Sequence, residues 1–294
     1  MSLAALTPLQ VVTIGWLFLF GLVVGSFLNV CIWRLPRGAT VGSPRRSFCP
    51  RCGRALRWFD NIPLLSFILL RGRCRDCGEP ISWRYFSVEL ITGLVLPLIY
   101  CSQGVRAGAD IGQLAVMMLV TSLLIFASAV DVEFTIIPEE VTVFGMIGGL
   151  LAGFLLPQLH VGPADYQTFQ KLTGLVHLDG LIGSLIGAVG GGLIVLFFAL
   201  VGRLAFQREA LGFGDVTLMA MLGSYFGWKV VLMAFFLAPF VGLLYGLPLL
   251  LLRDEHVMPY GPFLSLGAVL TIVFRESLCY WPAQIEGLFR ALVG

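Results

Sequence analysis

Ionisable side chains are scarce in this sequence, and two of them stand where they could act on a peptide bond. Asp215 follows two glycines in LGFGDVTL and opens the apolar run MAMLGSYFGW. Asp131 follows IFASAV and precedes VEFTIIPEE. A carboxylate at the edge of an apolar segment is costly, which makes it a functional position by default. Two carboxylates brought close together in a low-dielectric site do not both ionise: one stays charged and the other keeps a proton. The charged one can draw a proton from water while the protonated one polarises a carbonyl. Gly212 and Gly214, just ahead of Asp215, admit backbone conformations that other residues avoid and let a substrate strand approach closely. Taken singly, either aspartate is also an ordinary helix cap or interfacial charge. The hydrolytic reading therefore requires that the two meet in space.

A second group of residues has metal-binding character. CPRC at 49–52 and CRDC at 74–77 place Cys49, Cys52, Cys74 and Cys77 as two C-x-x-C pairs about 20 residues apart, a tetrathiolate zinc pattern. A short loop buries too little apolar surface to fold alone, and a metal held by four thiolates supplies the missing free energy. Four cysteines leave no open coordination position, so the expected Zn2+ is structural. Cys31, Cys101 and Cys279 lie in or near apolar segments and read as small buried hydrophobes.

The elements that must position these groups are membrane helices. The chain is 58% hydrophobic and 12% charged, with a mean hydropathy of +0.92, whereas soluble domains carry about 25% charged residues. Dividing the sequence into apolar runs of about 20 residues predicts an all-α polytopic membrane protein with about eight transmembrane helices, near 11–33, 85–100, 112–130, 140–157, 180–202, 215–228, 230–252 and 260–274. The first run lacks a basic leader and an obvious small-residue cleavage site, so it reads as a span rather than a cleavable signal. Three units follow: residues 1–33 as the first transmembrane helix, 34–84 as a tetracysteine loop, and 85–294 as the transmembrane core.

Eleven of the 19 basic residues fall between residues 34 and 84, and the span count adds Arg203, Arg208 and Arg253 on the same side. Arg106, Lys171, Lys229, Arg275 and Arg290 remain on the other. By the positive-inside rule the cysteine loop is cytoplasmic, which also argues against disulfides. Both aspartates then sit at cytoplasmic ends of spans, with Glu133, Glu139, Glu140, Glu209, Asp254 and Glu255 on that side. Topology accounts for the arginines, so nucleic acid is not an expected partner.

GFGD at the membrane face is similar to the G-x-G-D motif of intramembrane aspartyl proteases. In combination, GSFLNVCIWRLPRG at 25–38, the two C-x-x-C pairs, ISWRYFSVELITG at 81–93, VDVEFTIIP at 130–138, ALGFGDVTLMAMLG at 210–223 and MPYGPFLSLG at 258–267 resemble the type IV prepilin peptidase family, over nearly the whole chain. The resemblance implies two activities. One cuts the basic leader from type IV prepilins or type II secretion pseudopilins at the cytoplasmic face of a bacterial inner membrane, with Asp131 and Asp215 as the catalytic pair. The other transfers a methyl group from S-adenosyl-L-methionine to the new amino terminus, and is associated with the N-terminal region and the cysteine loop. Asn29, Arg34 and Glu89 lie in matching stretches and are methyl-transfer or substrate candidates; helix-end hydrogen bonding is the alternative role for each.

Two positions depart from the family pattern: Glu139 follows Pro138 where many relatives have Asp, and Ala39 follows RLPRG where many have an acidic residue. The second touches the methyltransferase half. Read without the resemblance, intramembrane aspartates also suit a transporter, though that leaves the cysteine loop unexplained. A peptidase without methyltransferase activity and a zinc-stabilised scaffold complete the alternatives.

Overall fold

The computed structural model describes residues 6–43, 46–159, 174–207, 211–252 and 259–274. Arg45, Lys171, Arg208, Glu209, Arg253, Asp254, Glu255, Arg275, Cys279 and Arg290 lie outside the described residues. Among the described residues, eight helices of 13 residues or more occur in the expected order: α1 (Pro8–Arg34), α2 (Trp83–Ile99), α3 (Ile111–Phe134), α4 (Glu139–Leu155), α5 (Val176–Phe206), α6 (Phe213–Phe226), α7 (Trp228–Leu252) and α8 (Gly261–Val273). Among the described residues there is no strand. Two isolated bridges, Phe48 with Ala55 and Arg73 with Pro80, lie in the loop between α1 and α2.

Local sequence explains where several helices begin. Thr7 and Gln10 form a capping box ahead of α1, and Pro8 takes its first position. Asp110 and Gln113 do the same for α3. Among the described residues, four segments are long and apolar enough to cross a bilayer: Pro8–Arg37, Trp83–Arg106, Ile111–Phe134 and Val176–Ala205. This is a multi-pass membrane protein.

The helices differ in length, as the predicted runs do. α6 has 14 residues and so rises about 21 Å, short of a hydrocarbon core of about 30 Å. The reason is its surroundings. α4, α5, α7 and α8 pack around it, and Leu218, Met219, Met221 and Leu222 are fully buried. A helix enclosed by protein is not held to the thickness of the bilayer.

α1 and α2 form a close pair. Gly21 and Gly25 are a small-x-x-x-small motif on α1; a Cβ on Gly21 would come within 2.6 Å of the Thr92 carbonyl oxygen, and one on Gly25 within 2.7 Å of the Glu89 Cα. Small residues at these positions let the backbones touch, which is how helices associate where hydrophobic driving force is weak. α3 contacts both members of this pair, and it also contacts α4 and α8 of the remaining bundle. Its C-terminal turn is thus a junction between the two parts of the fold.

Candidate functional site

Asp131 lies in the last turn of α3, buried at 6% exposure. The helix stops just beyond it because Thr135 adopts a left-handed conformation, φ 56°, and donates its N–H to the Asp131 carbonyl at 2.8 Å. A β-branched residue in that region is strained by about 1–3 kcal/mol, a feature that concentrates at functional sites. The Asp131 side chain reaches across the bundle: Oδ2 accepts the N–H of Gly261, the first residue of α8, at 3.0 Å.

Asp215 is the third residue of α6 and is equally buried. Its Oδ2 accepts the N–H of Gly212, its own N-cap residue, at 3.0 Å. Each aspartate therefore accepts a backbone N–H at the start of a helix. Gly214, beside Asp215, and Gly261, which holds Asp131, share one neighbour. Ile137 is wedged between the motifs that hold them. A Cβ on Gly214 would fall 2.9 Å from the Ile137 Cβ, and a Cβ on Gly261 would fall 2.6 Å from Asp131 Oδ2 and 3.3 Å from Ile137 Cδ1. The N-termini of α6 and α8 converge on the pair, and their partial positive charge favours an anion there.

The glycines of the motif differ from the expectation of unusual backbone geometry. Gly212 is in ordinary extended conformation, φ −78° and ψ 158°, and Gly214 is helical. What Gly214 supplies is room for Ile137.

Three residues of this site escaped the sequence reading. Gly261 donates to Asp131, Ile137 packs between the two motifs, and Tyr260 directly precedes Gly261. Burial first, and then the Asp215 charge, push the Tyr260 phenol up to about 12. PYGP at 259–262, directly before an apolar run, was the available signal, since proline in the first turn marks a helix start.

The four cysteines come together in the loop between α1 and α2, with their sulfurs all within 4.8 Å of one another. Each pair sits on the same small turn. Cys49 and Arg54 pair through N–H to O at 2.9 Å, and Gly53 closes the turn with φ 71°. Cys74 and Glu79 repeat this at 2.8 Å, with Gly78 at φ 73°. Backbone N–H groups of Cys77 and Asp76 donate toward the Cys74 sulfur and lower its thiol to about 7, favouring the thiolate. At Cys77 the Glu79 amide lowers the thiol, but desolvation and the neighbouring sulfurs outweigh it and raise it to about 12. The Cys49 and Cys77 sulfurs are 3.9 Å apart. The edge of a tetrahedron of sulfurs about 2.3 Å from a zinc ion is about 3.8 Å. The cluster can hold a tetrahedral metal ion.

Between the cysteine loop and the ends of α1 and α2 lies a cavity of about 350 Å³, and Asn29, Arg34 and Glu89 all line it, with Cys49 and Cys74 in its wall. Asn29 donates from Nδ2 to the Tyr85 carbonyl at 3.0 Å, while its Oδ1 is buried with no hydrogen-bond partner. Glu89 Oε2 accepts the N–H of Leu64 at 2.8 Å, fixing the loop where Leu64 takes φ 59°. Arg34 donates to the Val41 carbonyl at 2.5 Å and to that of Arg46 at 3.5 Å, so its guanidinium holds loop backbone. The residues singled out from the sequence thus divide into two places. The aspartates and their glycines form one, and Asn29, Arg34 and Glu89 form the other beside the cysteines.

Residues 19–103 match the bacterial peptidase A24 N-terminal domain, and residues 118–247 match the type IV leader peptidase family. The chain is 32% identical over 290 residues to a prepilin leader peptidase/N-methyltransferase of Aeromonas hydrophila, covering 90% of this chain and 91% of that protein. It is 31% identical over 265 residues to one of Bacillus subtilis, covering 89% and 94%. A Myxococcus xanthus protein of the same name is 39% identical over 236 residues, covering 80% of this chain but 63% of the relative's length. No solved structure matches.

Proposed function

The chain belongs to the type IV leader peptidase family, and from that premise we propose that it cleaves the leader from prepilins or pseudopilins and N-methylates the new terminus, with Asp131 and Asp215 as the peptidase pair. What supports the peptidase assignment is that two buried carboxylates on different helices, α3 and α6, each accept a glycine N–H, and that Gly214 beside one and Gly261 against the other both abut Ile137. Such a pair shares one proton. The charged carboxylate takes a proton from water as the water oxygen bonds to the scissile carbonyl carbon, and the protonated carboxyl gives its proton to the carbonyl oxygen. Collapse of the tetrahedral species breaks the C–N bond, and the leaving amine takes up a proton. Burial and the Asp215 charge keep the Tyr260 phenol protonated.

The substrate follows from the surroundings. An apolar helix of the prepilin lies in the bilayer, its basic leader lies in the cytoplasm, and exposed Glu139 and Glu140 follow Asp131 at the same end of the bundle. Their charge favours a basic leader. We place the protein in the bacterial inner membrane with this end facing the cytoplasm, on the distribution of arginines.

The methyl-transfer site is the cavity roofed by residues 34–84. Its volume suits a ligand of the size of S-adenosyl-L-methionine, which supplies an electrophilic methyl group on a sulfonium. Asn29 and Glu89 are the residues best placed to accept hydrogen bonds from a cationic ligand there, whereas Arg34 keeps the loop folded. Cys49, Cys52, Cys74 and Cys77 hold a structural Zn2+ that fixes this wall. Peptidase chemistry is carried by residues 85–294.

The test is mass spectrometry of a co-expressed prepilin with and without Asp215. The intact enzyme should give a pilin that has lost its leader and gained one methyl group, and Asp215→Asn should leave the leader in place. Complete processing by Asp215→Asn would end the assignment.

A further inference from the structure

The last turn of α3 carries Asp131 and Glu133. Residues two apart on a helix point about 200° apart, to opposite sides. Asp131 turns to Gly261 and the peptidase pair. Glu133 turns to the N-terminal half, where its carboxylate accepts from Nη2 of Arg37 at 3.5 Å and from Nη1 of Arg84. Arg37 follows α1 and Arg84 opens α2, and all three side chains line the cavity beside the cysteine loop. Each guanidinium also lies against aromatic rings: Arg37 is 5.0 Å from the ring centres of Trp33 and of Phe134, and Arg84 is 4.7 Å from that of Tyr85. One wall of the N-terminal cavity is therefore furnished by the peptidase helix.

We propose that Glu133 is a positioning residue for methyl transfer, holding Arg37 and Arg84 as a paired fork that receives the carboxylate end of the methyl donor. This rests on the assignment of the cavity to methyl transfer. Two guanidiniums against one carboxylate leave the wall with one net positive charge, which matches a ligand with one carboxylate. The planar guanidinium presents parallel donors that suit that partner. Arg84 Nε is buried and has no hydrogen-bond partner, so the pairing with Glu133 does not exhaust the donors of this guanidinium. Without Glu133 the two cations repel each other and lose their common anchor. The wall then forms only when the α1–α2 pair is docked on α3, and the turn that carries Asp131 also completes the second site.

The experiment uses the full-length enzyme with a prepilin substrate and S-adenosyl-L-methionine, reading leader cleavage and methyl incorporation in the same preparation. Glu133→Gln should raise the KM for the methyl donor about tenfold, the loss of a charge-assisted pair, and lower methylation relative to cleavage. It should also narrow the enzyme's preference for S-adenosyl-L-methionine over its decarboxylated analogue, and Glu133→Asp should recover part of both. Proportionate loss of cleavage and methylation in Glu133→Gln would make the role merely structural and overturn the proposal. A wild-type KM and donor preference in Glu133→Gln, with methylation lost in Glu89→Gln, would also overturn it while leaving the cavity assignment intact. Wild-type methylation by both variants would remove the cavity assignment and the proposal with it.

Discussion

Gly212 and Gly214 flank Phe213 in one short motif, yet their surroundings differ. A Cβ on Gly214 would press on Ile137 at 2.9 Å, while one on Gly212 would meet its nearest neighbour, Asp215 Oδ2, at 3.7 Å, an ordinary contact. Gly212→Ala should therefore leave leader cleavage within a few-fold of wild type, since glycine to alanine at an extended N-cap costs little beyond the cap preference. Gly214→Ala should displace Ile137 and lower cleavage at least about tenfold, as misplacement near a reacting centre does. Equal behaviour of the two in a cleavage assay would refute this account of the motif. Asp131→Asn and Asp215→Asn should each reduce cleavage by about 10²–10⁴, the contribution of a general acid or base. Size-exclusion profiles of both variants should match wild type.

At the scale of elements, the close approach of α1 and α2 governs the N-terminal cavity. Gly25→Leu would drive a side chain into the α2 backbone at Glu89, with the nearest Cα 2.7 Å from the Cβ alone, and so push apart the two helices that carry Asn29 and Glu89. Methyl transfer should fall further than leader cleavage, because α3, α6 and α8 hold the aspartates without α1. A cleavage defect as large as the methylation defect would show that the pair also supports the peptidase site. The cysteine loop is an element of the same kind. Cys49→Ser or Cys77→Ser should lower bound zinc, measured by atomic emission on the purified protein, and should make residues 46–80 easier to cut by trypsin, since metal binding contributes folding free energy to so small a unit. Retention of a full zinc equivalent by both would rule out the tetrathiolate.

On the scale of the whole molecule, the proposed assignment puts two chemistries on either side of one helix end, with different residues for each. Asp215→Asn should therefore still methylate a synthetic peptide that begins at the mature amino terminus, although it leaves the full prepilin untouched. Failure on the pre-cut peptide, with the variant folded, would mean that the aspartate pair also serves transfer.

The physical logic of the sequence and of the structure meet at particular residues. Composition and the spacing of apolar runs determined the class and order of helices, because lipid admits few alternatives to a helix for an apolar segment. Cysteine spacing determined the tetracysteine cluster, because two C-x-x-C turns bring four sulfurs into reach with little help from the rest of the chain. The short run at 215–228 is legible in the sequence, and only the tertiary structure decided that neighbouring helices rather than lipid enclose it. The same holds for Gly261 against Asp131, 130 residues away, and for Glu133 against Arg37 and Arg84. Local pattern encodes which face of a helix is apolar, but which distant polar group a side chain meets depends on how the helices dock.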